Sequence, residues 1–267
     1  DFIGIARGLA HLGHVPYEDV MMSSRYLEGA ILVYLRTNNI VAPNKSKKGE
    51  NNKLEKFEGA YVQDPQKGKH DWVYDLDITS MYPSIIMSLN ISPETKLGRI
   101  EGWNPEEFIQ KDNKKTYSLT HNKKVLNRYT ETELKRMMDN ENIGIATNGV
   151  MYRTDKTGLL PALLRKWFDE RVEYRKLSKK FYEEDDKEKS DYFDRRQYLQ
   201  KIVLNSLYGV LGLPTFRFYD LDNAEAVTST GQSLIKFTRK IGNAFYNKEL
   251  NDKTDHCIYI DTDSVFY

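Results

Sequence analysis

Apolar positions along the chain switch between short unbroken runs and a helical spacing, and the switches predict its elements. Ala30-Ile31-Leu32-Val33-Tyr34-Leu35 predicts a core-facing helix within residues 1–36, where apolar and polar patches otherwise alternate. Residues 42–56, rich in Lys and Asn, predict an exposed basic loop. A strand-like stretch begins at Glu58-Gly59-Ala60-Tyr61-Val62, and Trp72-Val73-Tyr74 predicts a buried strand delivering Asp77 at its end. The chain then turns, with Pro83 where the first turn of a helix accepts a proline. Residues 99–148 offer a helix start at Pro105, a capping Thr130 with Glu133 three residues on, and a hairpin turn at Thr147-Asn148-Gly149. Otherwise that block reads as a surface elaboration. From Leu160 the spacing turns helical: Leu163, Leu164, Trp167, Phe168 and Val172 form one stripe, with charges opposite. Glu183–Lys189 reads as a solvated hinge, and a second helix runs from Ser190 to Gly209 or Gly212. The two predict a projecting antiparallel pair. Apolar runs then flank Asp261-Thr262-Asp263-Ser264, which predicts a hairpin with carboxylates at its tip.

Composition narrows the classes. The 267 residues suffice for one large or two modest domains, with 39% hydrophobic and 30% charged residues. A net charge of +1 gives no global pull toward nucleic acid, so any basic surface is local. The single cysteine, Cys257, excludes an internal disulfide and a Cys-rich zinc site, and fits a reducing compartment. No apolar run approaches the ~20 residues of a membrane span. The opening Asp1-Phe2-Ile3-Gly4 lacks an initiator Met and a basic leader, and Ser264-Val265-Phe266-Tyr267 reads as a strand cut in mid-run. A piece of a longer protein is the expectation.

Several residue groups carry candidate chemistry. A carboxylate, Asp77, beside a helix N-terminus suits a cation and a polyphosphate; the plainer alternative is a helix cap. Lys201, Asn205 and Tyr208 share one helical face, either as a phosphate grip with a stacking ring or as an ordinary amphipathic surface. Arg171 and Arg175, one turn apart, suit a triphosphate; the alternative is pairing with Glu170 and Glu173. Asp261 and Asp263 on a tight turn repel unless a cation compensates them, and the Gly and distal Glu of a calcium loop are missing. Asp77 and Asp263 can meet in one sheet and share divalent ions, as in two-ion phosphoryl transfer with ions ~4 Å apart. His11 and His14 lack the further ligands that a closed zinc site wants.

Asp77-Ile78-Thr79-Ser80-Met81-Tyr82-Pro83-Ser84, then Lys201-x-x-x-Asn205-Ser206-x-Tyr208-Gly209, then Tyr259-x-Asp261-Thr262-Asp263-Ser264 resemble, in order, motifs A, B and C of the family B DNA polymerases. Asn90–Thr95 and Phe216–Leu221 resemble the T-even-type phage branch in particular. The resemblance implies an α+β fold, with a palm whose antiparallel sheet carries metal-binding aspartates and a two-helix fingers hairpin. It divides the chain into a helical segment and basic linker (1–57), a first palm part with motif A (58–159), the fingers (160–212) and a second palm part (213–267).

The implied activity is template-directed DNA synthesis on a primer 3′-hydroxyl with two Mg2+ ions, Mn2+ being able to substitute. Asp77 and Asp263, with the carbonyl of Ile78, resemble the metal ligands, and Asp261 lies close by. Ser80 and Met81 would offer N–H groups to the triphosphate. Tyr82 resembles the gate that leaves no space for a ribose 2′-hydroxyl. Arg171, Arg175, Lys201 and Asn205 resemble the residues holding the incoming dNTP; Tyr208 and Gly209 would line the nascent base pair. Glu58-Gly59-Ala60-Tyr61 resembles the loop that touches the template, through Gly59 and Tyr61. Implied partners are primer–template DNA and dNTPs, with a sliding clamp and other replisome proteins reached through regions outside this stretch, and no membrane. The implied location is intracellular, in the bacterial host cytoplasm for a phage-encoded protein.

Two positions depart from the family pattern. Asp75 shares a strand face with Asp77, and Ile260 stands where Gly is frequent, adding bulk expected under the primer end. The family's exonuclease carboxylates would precede residue 1 and its thumb would follow residue 267, so this stretch alone is expected to be poorly processive or inactive. A protein-primed member of the family, with an insertion in 99–148, and an inactive nucleic-acid-binding paralogue remain as alternatives.

Overall fold

The computed structural model describes residues 2–45, 57–110, 115–140 and 142–267. Helices α1 (Phe2–Gly13) and α2 (Ser23–Thr37) come first. The run Ala30–Leu35 lies in α2 as expected, and Ala30, Ile31 and Leu35 are buried together with Tyr26 and Leu27 one turn earlier, whereas Val33 is exposed. Residues 41–45 are irregular; the rest of the expected basic loop lies outside the described residues.

Strands β1 (Val62–Gln63) and β2 (Asp75–Asp77) follow, then α3 (Met81–Ser88) and β3 (Lys96–Ile100). Next come α4 (Pro105–Gln110), β4 (Thr116–His121), β5 (Lys124–Thr130), α5 (Glu131–Asp139), β6 (Ile143–Ile145) and β7 (Val150–Arg153). The long helices α6 (Leu159–Glu183), α7 (Lys187–Leu211) and α8 (Leu221–Leu250) precede a terminal pair, β8 (Tyr259–Asp261) and β9 (Ser264–Phe266). Two antiparallel sheets result, one ordered β1-β8-β9-β2 and one β5-β4-β3-β7-β6.

Three expectations need correction. Trp72-Val73-Tyr74 is not a buried strand: Trp72 is 98% exposed, and the strand is Asp75–Asp77. The reason is position, since β2 is an edge strand that pairs, among the described residues, with β9 alone. Tyr74 still extends the ladder by exchanging backbone bonds with Tyr267. Residues 99–148 are no surface elaboration either. They fold as most of a five-stranded sheet with its own core of Ile100, Phe108, Tyr117, Leu119, Leu134, Ile143 and Met151. Its local signals held: Thr130 and Glu133 form a reciprocal capping box, and Gly149 takes a positive φ of 85° in the turn between β6 and β7. Third, the hinge between the long helices is shorter than Glu183–Lys189. The Asp186 carboxylate accepts from the Lys189 N–H at 3.1 Å, which draws Lys187–Lys189 into the first turn of α7.

Contacts divide the chain into two units. One holds α1, α2, Ser92–Glu94 and Thr157–Ala224. There the Tyr26 hydroxyl donates to Ser206 Oγ at 3.0 Å, and Arg217 donates to the buried Glu28 carboxylate at 3.0 Å, fastening α2 to α7 and to the segment after it. The other holds both sheets, α3 and Glu225–Tyr267. Among the described residues, no helix is long and apolar enough to cross a membrane.

Candidate active site

In the sheet unit, Asp77 ends β2 directly opposite Ser264, the first residue of β9. The Ser264 hydroxyl donates to Asp77 Oδ2 at 3.3 Å. One residue on, the Ile78 N–H donates to the Asp263 carbonyl at 2.9 Å. The β8–β9 turn is tight: the Asp263 N–H reaches the Asp261 carbonyl at 2.6 Å, and Thr262 takes a positive φ of 57°. Register therefore brings motif-like segments 187 residues apart into one place.

Burial raises the Asp263 carboxyl pKa, and Asp77 raises it further, with smaller contributions from Asp261 and Asp75. Burial and like charge both disfavour a carboxylate. Asp77 does not cap α3: the residue that precedes that helix as its N-cap is Ser80, in the left-handed region at φ 52°, with no side-chain cap. The turn leaves the first N–H groups of α3 outside its own hydrogen-bond ladder. Tyr82 lies in that first turn, half-buried.

The Gly59–Tyr61 loop is tied to both neighbours. Thr262 N–H donates to the Tyr61 carbonyl at 3.0 Å, Gln232 Nε2 donates to the Gly59 carbonyl at 2.8 Å, and Lys236 Nζ sits 4.6 Å from the Tyr61 ring centroid. Ile260 is fully buried among Ile235, Cys257, Val265 and Tyr267. Strand alternation turns Ile260 into the core and Asp261 outward.

In the helical unit, α6 and α7 pack as an antiparallel pair. Phe181 stacks on Phe193 at 5.5 Å, Ser178 and Ser190 exchange hydrogen bonds, and Gln200 donates to Glu170 at 2.6 Å. Since Glu170 and Gln200 meet, a one-residue step on each helix carries Arg171 and Lys201 to the same side of the pair. Arg175 follows Arg171 one turn on. Along α7, Val203, Leu204, Leu207 and Val210 are buried, while Lys201, Asn205 and Gly209 are exposed and Tyr208 is half-buried. Arg171 Nε is buried without a hydrogen-bond partner, and burial, then the Arg175 charge, lowers the Arg171 pKa. No ion pair joins Arg171 or Arg175 to Glu170 or Glu173 among the described residues. The plainer reading of those arginines thus loses its support.

The sequence model of DNA polymerase family B matches residues 20–267. The chain belongs to DNA polymerase family B. It is 29% identical to "DNA polymerase 1" of Pyrococcus abyssi over 270 residues, covering 100% of this chain and 29% of that protein. It is 24% identical to the "DNA-directed DNA polymerase" of Escherichia phage RB69, covering 99% of this chain and 32% of the relative. A family B polymerase structure from Pyrobaculum calidifontis superposes with a TM-score of 0.64 at 26% identity, over 99% of this chain and 29% of the other. The chain thus spans about a third or less of the length of these relatives.

Within this family B segment, no group of three or more His, Cys, Asp and Glu side chains is arranged to hold a metal among the described residues. His11 and His14 merely stack, their centroids 6.2 Å apart. Two carboxylates and a carbonyl still suit a hard cation that keeps water and phosphate in its remaining positions. A cation there would offset the like charge that Asp77 sets against the Asp263 carboxyl. Sequence reasoning missed α8 altogether: Gly231, Gln232 and Lys236 carried no motif signal, and only the packing of α8 against α3 and the Gly59–Tyr61 loop reveals them.

Proposed function

We infer that this chain carries the nucleotidyl-transfer core of a DNA-directed DNA polymerase, joining a dNTP to a primer 3′-hydroxyl under template direction. The observation behind this reading is the register that sets Asp77 against Ser264 and crowds Asp263 with like charge. The 3′-oxygen attacks the α-phosphorus, the bond to pyrophosphate breaks, and the hydroxyl proton leaves to solvent. Asp77, Asp263 and the Ile78 carbonyl would hold divalent ions, Mg2+ or Mn2+, with Asp261 beside them. Such ions lower the pKa of the attacking hydroxyl and neutralise the leaving pyrophosphate.

The chain's own groups do the positioning. Backbone N–H groups at Ser80 and Met81 take triphosphate oxygens. Arg171 and Arg175 bind phosphate in forked geometry, with Lys201 as a point charge and Asn205 as an amide donor. The Tyr82 ring closes the space a 2′-hydroxyl would need. Tyr208 and Gly209 line the new base pair, and the loop of Gly59 and Tyr61 supports the template.

The test is single-nucleotide incorporation by the full-length protein. Asp77→Asn and Asp263→Asn are each expected to bring incorporation below detection, while primer–template affinity, read by fluorescence anisotropy, changes less than threefold. Wild-type protein that binds DNA but never extends a primer with Mg2+ or Mn2+ would instead mark an inactive paralogue.

A further inference from the structure

The helical unit holds a second basic surface, on the other side of its long helix pair from Arg171 and Lys201. Two adjoining cavities, of about 390 and 690 Å3, share His11, Leu12, Tyr174, Arg196 and Gln200 in their walls. Arg7 and Arg195 border the larger one, and Lys166 the smaller. Among the described residues, Glu170 is the sole acidic one in either wall. In a chain of net charge +1, that concentration of cations is local.

On α7, Tyr192, Arg196 and Leu199 lie about half a helical turn from Lys201, Asn205 and Tyr208, hence on the opposite face. The groove and the proposed triphosphate grip are separate surfaces.

Its walls combine charge with flat rings. The Arg196 guanidinium lies 5.2 Å from the Tyr174 ring centroid and 5.5 Å from that of Tyr192, and it donates to the Tyr192 hydroxyl at 2.6 Å. Arg196 is thus held beside two aromatic rings, forming one charged and aromatic wall. Below it, Gln200 is only 5% exposed. Its Nε2 is spent on Glu170, and its Oε1 is buried with no partner. An orphaned buried acceptor is costly unless a donor reaches it. Nucleobases bring N–H donors on a flat, stackable frame, and their phosphates answer Arg7, Lys166 and Arg195. An acidic peptide would answer the charges but leave the ring platform unused. The cations are spread over both cavities, Lys166 on the smaller and Arg7 and Arg195 on the larger, so the fitting ligand carries several phosphates, as a strand does.

We propose that this groove binds a short unpaired stretch of single-stranded DNA, with bases against the Tyr174–Arg196–Tyr192 platform and the Gln200 acceptor, and phosphates along Arg7, Lys166 and Arg195. Stacking platforms lined by cations bind single strands with little sequence preference.

The experiment uses the full-length protein and an oligothymidylate carrying 4-thiothymidine, photo-crosslinked and mapped by mass spectrometry. Crosslinks are expected in the peptides holding His11, Tyr174 and Tyr192. The double variant Arg7→Ser, Arg195→Ser removes two exposed side chains and should retain the fold. It is expected to lower those crosslink yields at least fivefold. It should also make the salt dependence of single-strand binding shallower by about 1.4 in log–log slope, two phosphates at about 0.7 each. Incorporation on a primer–template with a one-nucleotide overhang should not change. Crosslinks confined to other peptides, an unaltered salt slope, or capture of free thymidine nucleotide without capture of the strand would each overturn the proposal. A loss of incorporation in Asp77→Asn has no bearing on these readouts, so the two readings fail independently.

Discussion

Gly231 stands in the middle of α8, where glycine is a poor choice. Alanine there would be worth about 1 kcal/mol to an exposed helix. The structure gives the opposing cost: a Cβ on Gly231 would lie 3.0 Å from Met81 Cε, 3.1 Å from Tyr82 Cε1 and 3.6 Å from Ile85 Cδ1. The Met81 methyl can swing aside, but a tyrosine ring moves only as a plate. Overpacking of this kind costs about 1–3 kcal/mol. We therefore expect Gly231→Ala to fall between neutral and about 2 kcal/mol less stable, with the ring displaced by a few tenths of an ångström. If Tyr82 excludes ribonucleotides by contact, losing about 1 kcal/mol of that exclusion is roughly a fivefold loss of discrimination. The assay is the ratio of kcat/KM for a dNTP and its ribonucleotide in single-nucleotide incorporation, alongside thermal unfolding, with Tyr82→Ala as the reference for full loss. A Gly231→Ala protein that gains the whole helix-propensity term, with discrimination intact, would show that Gly231 does not set the ring. A Tyr82→Ala protein that still rejects ribonucleotides would remove the gate itself.

Thr130→Ala removes the side chain that accepts from the Glu133 N–H, and should cost about 1 kcal/mol by chemical denaturation. The Thr130 N–H and hydroxyl hold the Glu133 carboxyl below its ordinary pKa. A folded value below the unfolded one means the stabilisation is present above the unfolded pKa and fades as pH falls through the folded one. Glu133→Gln should therefore lower stability at neutral pH, leave it nearly unchanged at low pH, and so flatten the acid limb of a stability–pH curve; an identical acid limb would refute the linkage. Arg171→Lys keeps the charge but loses the forked guanidinium and its buried Nε, and should raise KM for the dNTP roughly tenfold, with Tm within about 1 °C, by steady-state kinetics and calorimetry.

Local spacing made much of this legible. The apolar run Ala30–Leu35, the Thr130–Glu133 box, the turn at Gly149 and the Asp261–Ser264 hairpin all depend on residues within a few positions of one another, so each could be read directly. The Lys201-Asn205-Tyr208 face was readable because 3.6 residues per turn leaves little freedom once a helix forms. Where local pattern misled, a distant partner was decisive. Trp72-Val73-Tyr74 has the apolarity of a buried strand, but β2 sits at a sheet edge. Residues 99–148 hold too few contiguous apolar positions to announce a core; Ile100, Tyr117, Leu134 and Met151 form one only when five strands align.

By itself, then, the sequence determined the order of three acidic or cationic motifs and the elements bearing them, because composition and short-range periodicity are properties of neighbours along the chain. The tertiary structure alone decided that Asp77 lies opposite Ser264, that Ile260 turns inward, that Gly231 meets the Tyr82 ring, and that Gln200 is left with an unanswered oxygen. Each of those facts is a meeting of side chains brought together by strand register or helix packing, and no short-range pattern encodes which distant surface will arrive.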